Sequence, residues 1–257
     1  MIGYPLTQAN RIRLAQAFRH VQRVDLSIDC ALGGQMGKAF VDDLEHPTVF
    51  EIELSHFFCY FAGNAARSAG REMIRSLPPY RLLMPSTPGW LQVAQEIHGG
   101  RLAKLTRSSF SSEDLSVDHL ECLLVDSPFR NRVRCVDAAM ARSLSNGFDS
   151  VFEISDFDSP EDFAQRGAGY CLMDGDALMG VAYSSLVCSR GIEVSLFVMP
   201  EQRRQGVATA LASALLKWCL ENNMEPHWDA ANIESRKLAE KMGYIPTGTY
   251  DVYFLEK

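Results

Sequence analysis

The sequence predicts a mixed α/β (α+β) protein: a mostly antiparallel sheet flanked by helices, preceded by a smaller α/β N-terminal domain. Three observations carry this reading. Apolar positions switch repeatedly between the two-residue period of strands and the 3.6-residue period of helices. Two β-rich runs, GYCLM (169–173) and ALMGVAYSSLV (177–187), flank Asp174-Gly175, a strong hairpin signal. The charge also breaks: residues 1–112 hold 12 basic and 9 acidic side chains, whereas residues 113–257 hold 13 and 23. A chain of 257 residues accommodates one large or two small domains, here 1–112 and 113–257.

Within the first part, residues 8–19 (QANRIRLAQAFR) carry apolar positions at helical spacing. The stretch from Ser27 to Asp43 reads as moderately helical despite Gly33, Gly34 and Gly37. VFEIELSHFFCYFAG (49–63) is rich in β-branched and aromatic residues and reads as one long strand or a tight strand pair. AARSAGREMIRSL (65–77) is a helix stopped by Pro78-Pro79. A strand (81–84), a helix after Pro85 (89–98) and a strand (101–110) follow. Polar SFSSEDLSVD (109–118) is the expected boundary, because linkers between domains are polar and lightly packed.

In the second part, VRCV (133–136) reads as a strand, DAAMARSLS (137–145) as a helix, and acidic DFDSPEDFAQR (156–166) as a helix or loop. After the hairpin, GIEVSLFVM (191–199) alternates Ile192, Val194, Leu196 and Val198 with Glu193, Ser195 and Phe197. Val207 to Asn222 is a helix, EPHWDAA (225–231) a strand, IESRKLAEKM (233–242) a helix ended by Gly243, and GTYDVYFLE (248–256) a strand.

Composition excludes several classes. At 47% hydrophobic and 22% charged residues the chain is neither disordered nor collagen-like. A net charge of −7 argues against general binding to nucleic acid or anionic membranes, since polyanions require a basic surface. The seven cysteines are scattered, mostly in apolar runs and without C-x-x-C, so they read as core thiols in a reducing compartment. MIGYPLTQANRIR lacks the apolar core of a signal peptide, and no run approaches the ~18 apolar residues of a membrane span. The expectation is a cytoplasmic protein. The six histidines show no ligand spacing, so no metal is expected. The acidic residues Glu153, Asp156, Asp158, Glu161 and Asp162 read as a solvated face that could attract a cation.

The chemistry concentrates in LFVMPEQRRQGVATALASALL (196–216). A strand ends at Pro200, and a polar loop with two arginines leads to a glycine that opens a helix. First-turn amides lack intrahelical partners and lie at the positive end of the helix dipole. Together with small residues at Gly206 and Ala208 they suit a pyrophosphate, and Arg203 or Arg204 adds charge-assisted contacts.

R-x-x-G-x-A after this strand, followed by N-x-x-S-x-x-L-x-x-K-x-G-Y (232–244), resembles the GNAT superfamily of acetyl-CoA-dependent N-acetyltransferases. The resemblance covers roughly residues 169–257 and rests on two motifs in the right order. WDAANIESRKLAEKMGY (228–244) also resembles a bacterial subgroup that includes zwittermicin-resistance acetyltransferases, in which a degenerate N-terminal half precedes the catalytic domain. The resemblance implies a GNAT-type sheet and acetyl-CoA as acyl donor. Backbone groups of Leu196, Phe197 and Val198 would hold the pantetheine arm. Arg203, Arg204, Gln205, Gly206, Val207, Ala208 and Thr209 would cradle the pyrophosphate, and Asn232 and Ser235 would contact the pantetheine or adenosine-phosphate end. The thioester would sit between the strands at 192–199 and 225–231.

Acyl transfer to an amine needs a proton acceptor, and Glu193 is the candidate general base; backbone N–H of Phe197 or Val198 could stabilise the oxyanion. The tyrosine expected as general acid after the second-motif leucine is replaced by Ala239. Tyr244, Tyr250, Tyr253 or Ser235 would substitute, with Tyr244 also fitting a packed core position, or the thiolate leaves without an acid. The expected activity is transfer of an acetyl group to a primary amine of a small molecule by direct attack in a ternary complex; a non-catalytic acyl-CoA sensor or scaffold and a protein acetyltransferase are the alternatives. The N-terminal half shows no phosphate-loop pattern and would line the acceptor pocket or form the face of a homodimer.

Overall fold

The computed structural model of the chain describes residues 1–54, 58–84 and 86–256. The elements, in chain order, are β1 (Ile2–Gly3), α1 (Gln8–Ala17), α2 (Ser27–Gly33), β2 (Lys38–Val41), β3 (Val49–Leu54), β4 (Phe58–Gly63), α3 (Ser68–Arg75), β5 (Leu82–Met84), α4 (Pro88–His98) and β6 (Leu102–Ser111). They continue as α5 (Val117–Val125), β7 (Arg134–Cys135), α6 (Ala138–Gly147), α7 (Pro160–Arg166), β8 (Gly169–Asp174), β9 (Ala177–Val187) and β10 (Gly191–Val198). The chain closes with α8 (Val207–Glu221), β11 (Glu225–His227), β12 (Asp229–Ala230), α9 (Ile233–Met242) and β13 (Ile245–Leu255).

Two compact units result, one of Met1–Arg107 with Thr249–Lys257 and one of Ser108–Gly248. In the first, β1 to β4 run antiparallel in sequence order, β5 pairs parallel to β4, and the end of β13 pairs antiparallel to β5 through Tyr253 and Leu83. Parallel pairing of β4 and β5 demands a crossover, which α3 provides. Val49, Cys59, Phe61 and Leu83 form one apolar face, against which Met73 and Ile74 of α3, Trp90 and Val93 of α4, and Leu255 are buried. The ring centroids of Phe61 and Trp90 lie 5.1 Å apart.

The second unit holds a five-stranded sheet ordered β11-β10-β9-β8-β7, antiparallel except for β10 and β11. Helix α8 is the crossover. It buries Ala212 and Leu216 in a cluster with Phe110, Leu120 of α5, Trp228, Ala230, Ala239 and Met242 of α9, and Tyr244. The small strand β12 leaves this sheet and pairs antiparallel with the end of β6, Asp229 opposite Ser109 and Ala230 opposite Ser108. Hairpin, helix, parallel strand, helix and long strand thus occur twice, as β3-β4-α3-β5-α4-β6 and as β9-β10-α8-β11-α9-β13, the second time with the short β12 inserted before α9.

The mixed, mostly antiparallel sheet flanked by helices is as the sequence predicts. Several local expectations are corrected. The helix from Ser27 stops at Gly33, because Gly34 takes a left-handed φ of 75°, and Lys38–Val41 of the same stretch form β2. The long strand at 49–63 is the antiparallel pair β3 and β4; residues 55–57 lie outside the described residues, as does Pro85. Polar residues 109–118 are not an exposed linker but the end of β6 and the cap of α5, a helix absent from the sequence reading. The Ser116 hydroxyl accepts from His119 N at 3.4 Å, so the Ser/Asp richness there is capping chemistry. The strand at 225–231 is broken at Trp228 into β11 and β12. Cys30, Cys59, Cys171, Cys188 and Cys219 are buried thiols, whereas Cys122 and Cys135 are exposed. Among the described residues no helix is long and apolar enough to cross a membrane.

Candidate active site

Strand β10 is the frame of the site. One side of it is paired along its length with β9, and a register shift falls between Glu193 and Val194. On the other side it pairs with β11 only through Gly191–Glu225, Ile192–Pro226 and Glu193–His227. Beyond those residues the two strands part, since β12 pairs with β6 instead. The edge of β10 from Val194 to Val198 therefore has no strand partner on that side among the described residues. An open edge of this kind presents backbone donors and acceptors to an extended ligand, which can add itself as a strand.

At the end of β10 a short 3₁₀ turn (Pro200–Gln202) leads to a loop held by Arg203 Nε donating to Val198 O at 3.3 Å and Gln205 Nε2 donating to Glu201 O at 2.9 Å. Arg204 has φ of 60°, an uncommon conformation for a side chain with a Cβ. Gly206 caps α8 with φ of 92°, and a Cβ built on it meets nothing within 4 Å, so space lies directly over the helix start. No acidic residue occupies the first turn of α8, and no side chain caps it. The first bond of the helix is Ala210 N to Gly206 O, so the N–H groups of Val207, Ala208 and Thr209 have no intrahelical acceptor. At that turn Lys241 Nζ donates to Thr209 Oγ1 at 3.0 Å.

Where the strands part, His227 Nδ1 lies 3.0 Å from the Glu193 carboxylate, and both side chains are largely enclosed, 12% and 13% exposed. Ser185 Oγ donates to Glu193 O at 3.4 Å. Ser195 and Tyr183 stand opposite each other on β10 and β9, and the Tyr183 hydroxyl accepts from Glu153 N at 2.8 Å. Burial raises the Tyr183 phenol above its ordinary range, and the hydrogen bond from the Glu153 amide partly offsets this.

The structure thus brings Leu196, Phe197, Val198 and the loop from Arg203 to Thr209 into one continuous strand–loop–helix, with Glu193 at its start. Asn232 and Ser235 are placed at the opposite end of α9 from Lys241. Asn232 Oδ1 caps the helix by accepting from Ser235 N at 2.8 Å, and Ser235 Oγ accepts from Trp228 Nε1 at 3.1 Å. Tyr244 is a correction. It is 2% exposed, packed edge-to-face against Phe110 at 6.2 Å and tilted against Trp228 at 5.7 Å, and its hydroxyl donates to Pro226 O at 2.6 Å. Burial, reinforced by the negative charges of Glu193 and Glu225, raises its phenol well above the ordinary value. Such a hydroxyl holds its proton for a backbone carbonyl rather than delivering it to a leaving group. Ala239 is fully buried in the same cluster, so the usual tyrosine slot offers no acid either.

Two residues escaped the sequence reading as members of the site. His227 carries no distinguishing signal in its own sequence neighbourhood; only the register of β10 and β11 reveals its carboxylate partner. Lys241 belongs to the quoted K-x-G-Y motif, but its cation reaches the loop only through the packing of α9 on α8. Acidic Glu161 and Asp162 are engaged with Arg142 and Arg166 rather than free to steer a cation. One grouping of potential metal ligands occurs among the described residues, Glu51, Glu53 and Cys59 within 4.8 Å of one another, but the Arg81 guanidinium, 3.0 Å from Glu53, already supplies a cation there.

Comparison with known proteins identifies the family. The family model described as GNAT acetyltransferase matches residues 21–253. The chain is 24% identical over 228 residues to "Uncharacterized N-acetyltransferase YdfB" of Bacillus subtilis, covering 85% of each protein. The crystal structure of a GCN5-related N-acetyltransferase-like protein from Streptococcus suis superposes with a TM-score of 0.83 at 25% identity, over 97% of this chain and 100% of that one. A GCN5-related N-acetyltransferase from Sphaerobacter thermophilus, with 14% identity and a TM-score of 0.53 over 98% of this chain and 94% of that one, shares the fold. With nearly its whole length matched by the family model, the chain belongs to the GNAT acetyltransferase family and is an enzyme of the N-acetyltransferase type.

Proposed function

We propose that the protein transfers an acetyl group from acetyl-CoA to a primary amine of a small molecule, by direct attack while both substrates are bound. The observation that carries this reading is the parting of β10 and β11 at Glu193 and His227, next to an uncapped helix start at Gly206. The pantetheine arm fits the open edge at Leu196, Phe197 and Val198 as an added strand. The pyrophosphate fits the first-turn amides of α8, with Arg203, Arg204, Gln205 and Lys241 supplying cations and donors. Asn232 and Ser235 flank the arm beside β12. Glu193 takes the proton of the acceptor ammonium, and backbone N–H of Phe197 or Val198 holds the developing oxyanion. With Tyr244 and Ala239 both in the core, the thiolate leaves without a dedicated acid.

The acidic balance of residues 113–257 favours a cationic acceptor over nucleic acid or an anionic membrane. The recurrence of the hairpin–helix–strand–helix–strand order supports a degenerate GNAT-like origin for the N-terminal unit, the organisation of the zwittermicin-resistance subgroup, in a cytoplasmic bacterial enzyme. A homodimer with the N-terminal unit as its face is part of the same reading.

Gly206→Glu tests the donor site, because it puts a carboxylate at the helix start. Acetyl-CoA affinity is expected to fall at least about 100-fold, measured by calorimetry; unchanged affinity would refute the placement. Ala239 and the buried Tyr244 favour one second reading, a non-catalytic acyl-CoA sensor. Incubation with acetyl-CoA and a panel of amines separates the two: release of free CoA thiol supports the enzyme, and tight binding without release supports the sensor.

A further inference from the structure

We infer that the proton acceptor of this site is a carboxylate–imidazole pair, in which His227 positions Glu193 and fixes the orientation of its carboxylate. The inference deepens the acetyl-transfer reading and rests on it. Both side chains reach the point where β10 and β11 stop pairing, from directly opposed positions on parallel strands, and His227 Nδ1 is 3.0 Å from the carboxylate. At 13% exposure the Glu193 carboxylate has little water to fix or stabilise it. A glutamate has three rotatable bonds, and a neighbour of fixed geometry confines them. The imidazole itself sits on a three-residue strand whose preceding residue, Pro226, accepts from the buried Tyr244 hydroxyl. Of the charged and polar groups on the same strands, Glu225 pairs with Arg190 at 2.8 Å, and Tyr183 and Ser195 face each other across β9 and β10.

An ionised carboxylate only accepts hydrogen bonds, so the neutral ring must carry its proton on Nδ1. The acceptor ammonium gives one proton to Glu193. Its nitrogen then forms a bond to the thioester carbonyl carbon, the C–S bond breaks, and the nitrogen's second proton goes to the departing sulfur. Amide and CoA thiol result, and the pair returns its single proton to water. Throughout, Nδ1–H stays against the carboxylate, 3.0 Å from both of its oxygens, and holds its orientation. His227 is a positioning residue in this scheme and need not touch either substrate.

Nitrogen NMR of the ligand-free protein and steady-state kinetics test the inference together. The neutral His227 ring is expected as the Nδ1–H tautomer, and Glu193→Gln is expected to abolish that preference. His227→Ala is expected to lower kcat about 10- to 100-fold with the acetyl-CoA KM within about twofold. His227→Asn, whose amide N–H can stand in for Nδ1–H, is expected to regain most of the loss. An Nε2–H ring, a kcat for His227→Ala within about twofold of the parent, or an Asn variant as slow as the Ala variant overturns the inference. The tautomer is read without turnover. Absence of thiol release with every amine, alongside an Nδ1–H ring, therefore overturns acetyl transfer and the positioning role with it, while the pairing itself stands.

Discussion

The Tyr244 hydroxyl spends its hydrogen on Pro226 O, inside a cluster of Phe110, Trp228 and Met242. Its contribution is therefore to the position of β11 and not to proton delivery. Tyr244→Phe removes one buried hydrogen bond and is expected to lower stability by about 1 kcal/mol in urea unfolding, with kcat within about threefold. A hundredfold fall in kcat at unchanged stability would restore the phenol to the chemistry. At this scale the sequence was informative wherever a residue's placement depends on its own strand or loop. Glu193 shows as a polar position on an alternating strand, and Gly206 shows as the opening of a helix. His227 and Lys241 were not legible, because their roles depend on partners 34 and 32 residues away in sequence.

Among the elements, β3 places a carboxylate where a core residue is expected. Glu51 is 8% exposed, and burial, reinforced by the charge of Glu53, raises its carboxyl to about 8. The folded chain thus keeps a proton that the unfolded chain releases near its ordinary 4.5, so stability falls as pH rises between those values. Glu51→Gln cannot titrate. Its stability relative to the parent is expected to improve by up to about 1 kcal/mol per pH unit across that window and to be independent of pH below 4.5. Parallel pH dependence of the two proteins in thermal unfolding would exclude the effect. Most elements were visible from periodicity and turn residues: α8, α9 and the β8–β9 hairpin lie within a residue or two of expectation. The failures share a cause. The break at Trp228, where β11 gives way to β12, is imposed by pairing with β6. The polar run before α5 looks the same whether it caps a helix or links domains.

For the molecule as a whole, the charge changes near residue 112 and the fold divides into two compact units, but the charge does not reveal where the last strand goes. Leu255 is 1% exposed among Val49, Phe61 and Trp90, Tyr80 N donates to Leu255 O at 3.0 Å, and Glu256 N donates to Arg101 O at 3.0 Å. Leu255→Ala is expected to destabilise the first unit by about 2–5 kcal/mol, read from hydrogen exchange at the amides of α3 and α4. Equal protection in parent and variant would show that the strand is dispensable. Residues 249–257 also set a timetable. At roughly 5–20 residues per second, synthesis of the segment from Ser108 to Gly248 takes about 7–30 s, and for that interval the first unit exists without the strand that covers Leu83 and the face around Trp90. The earlier-made unit of the chain is the later to be completed.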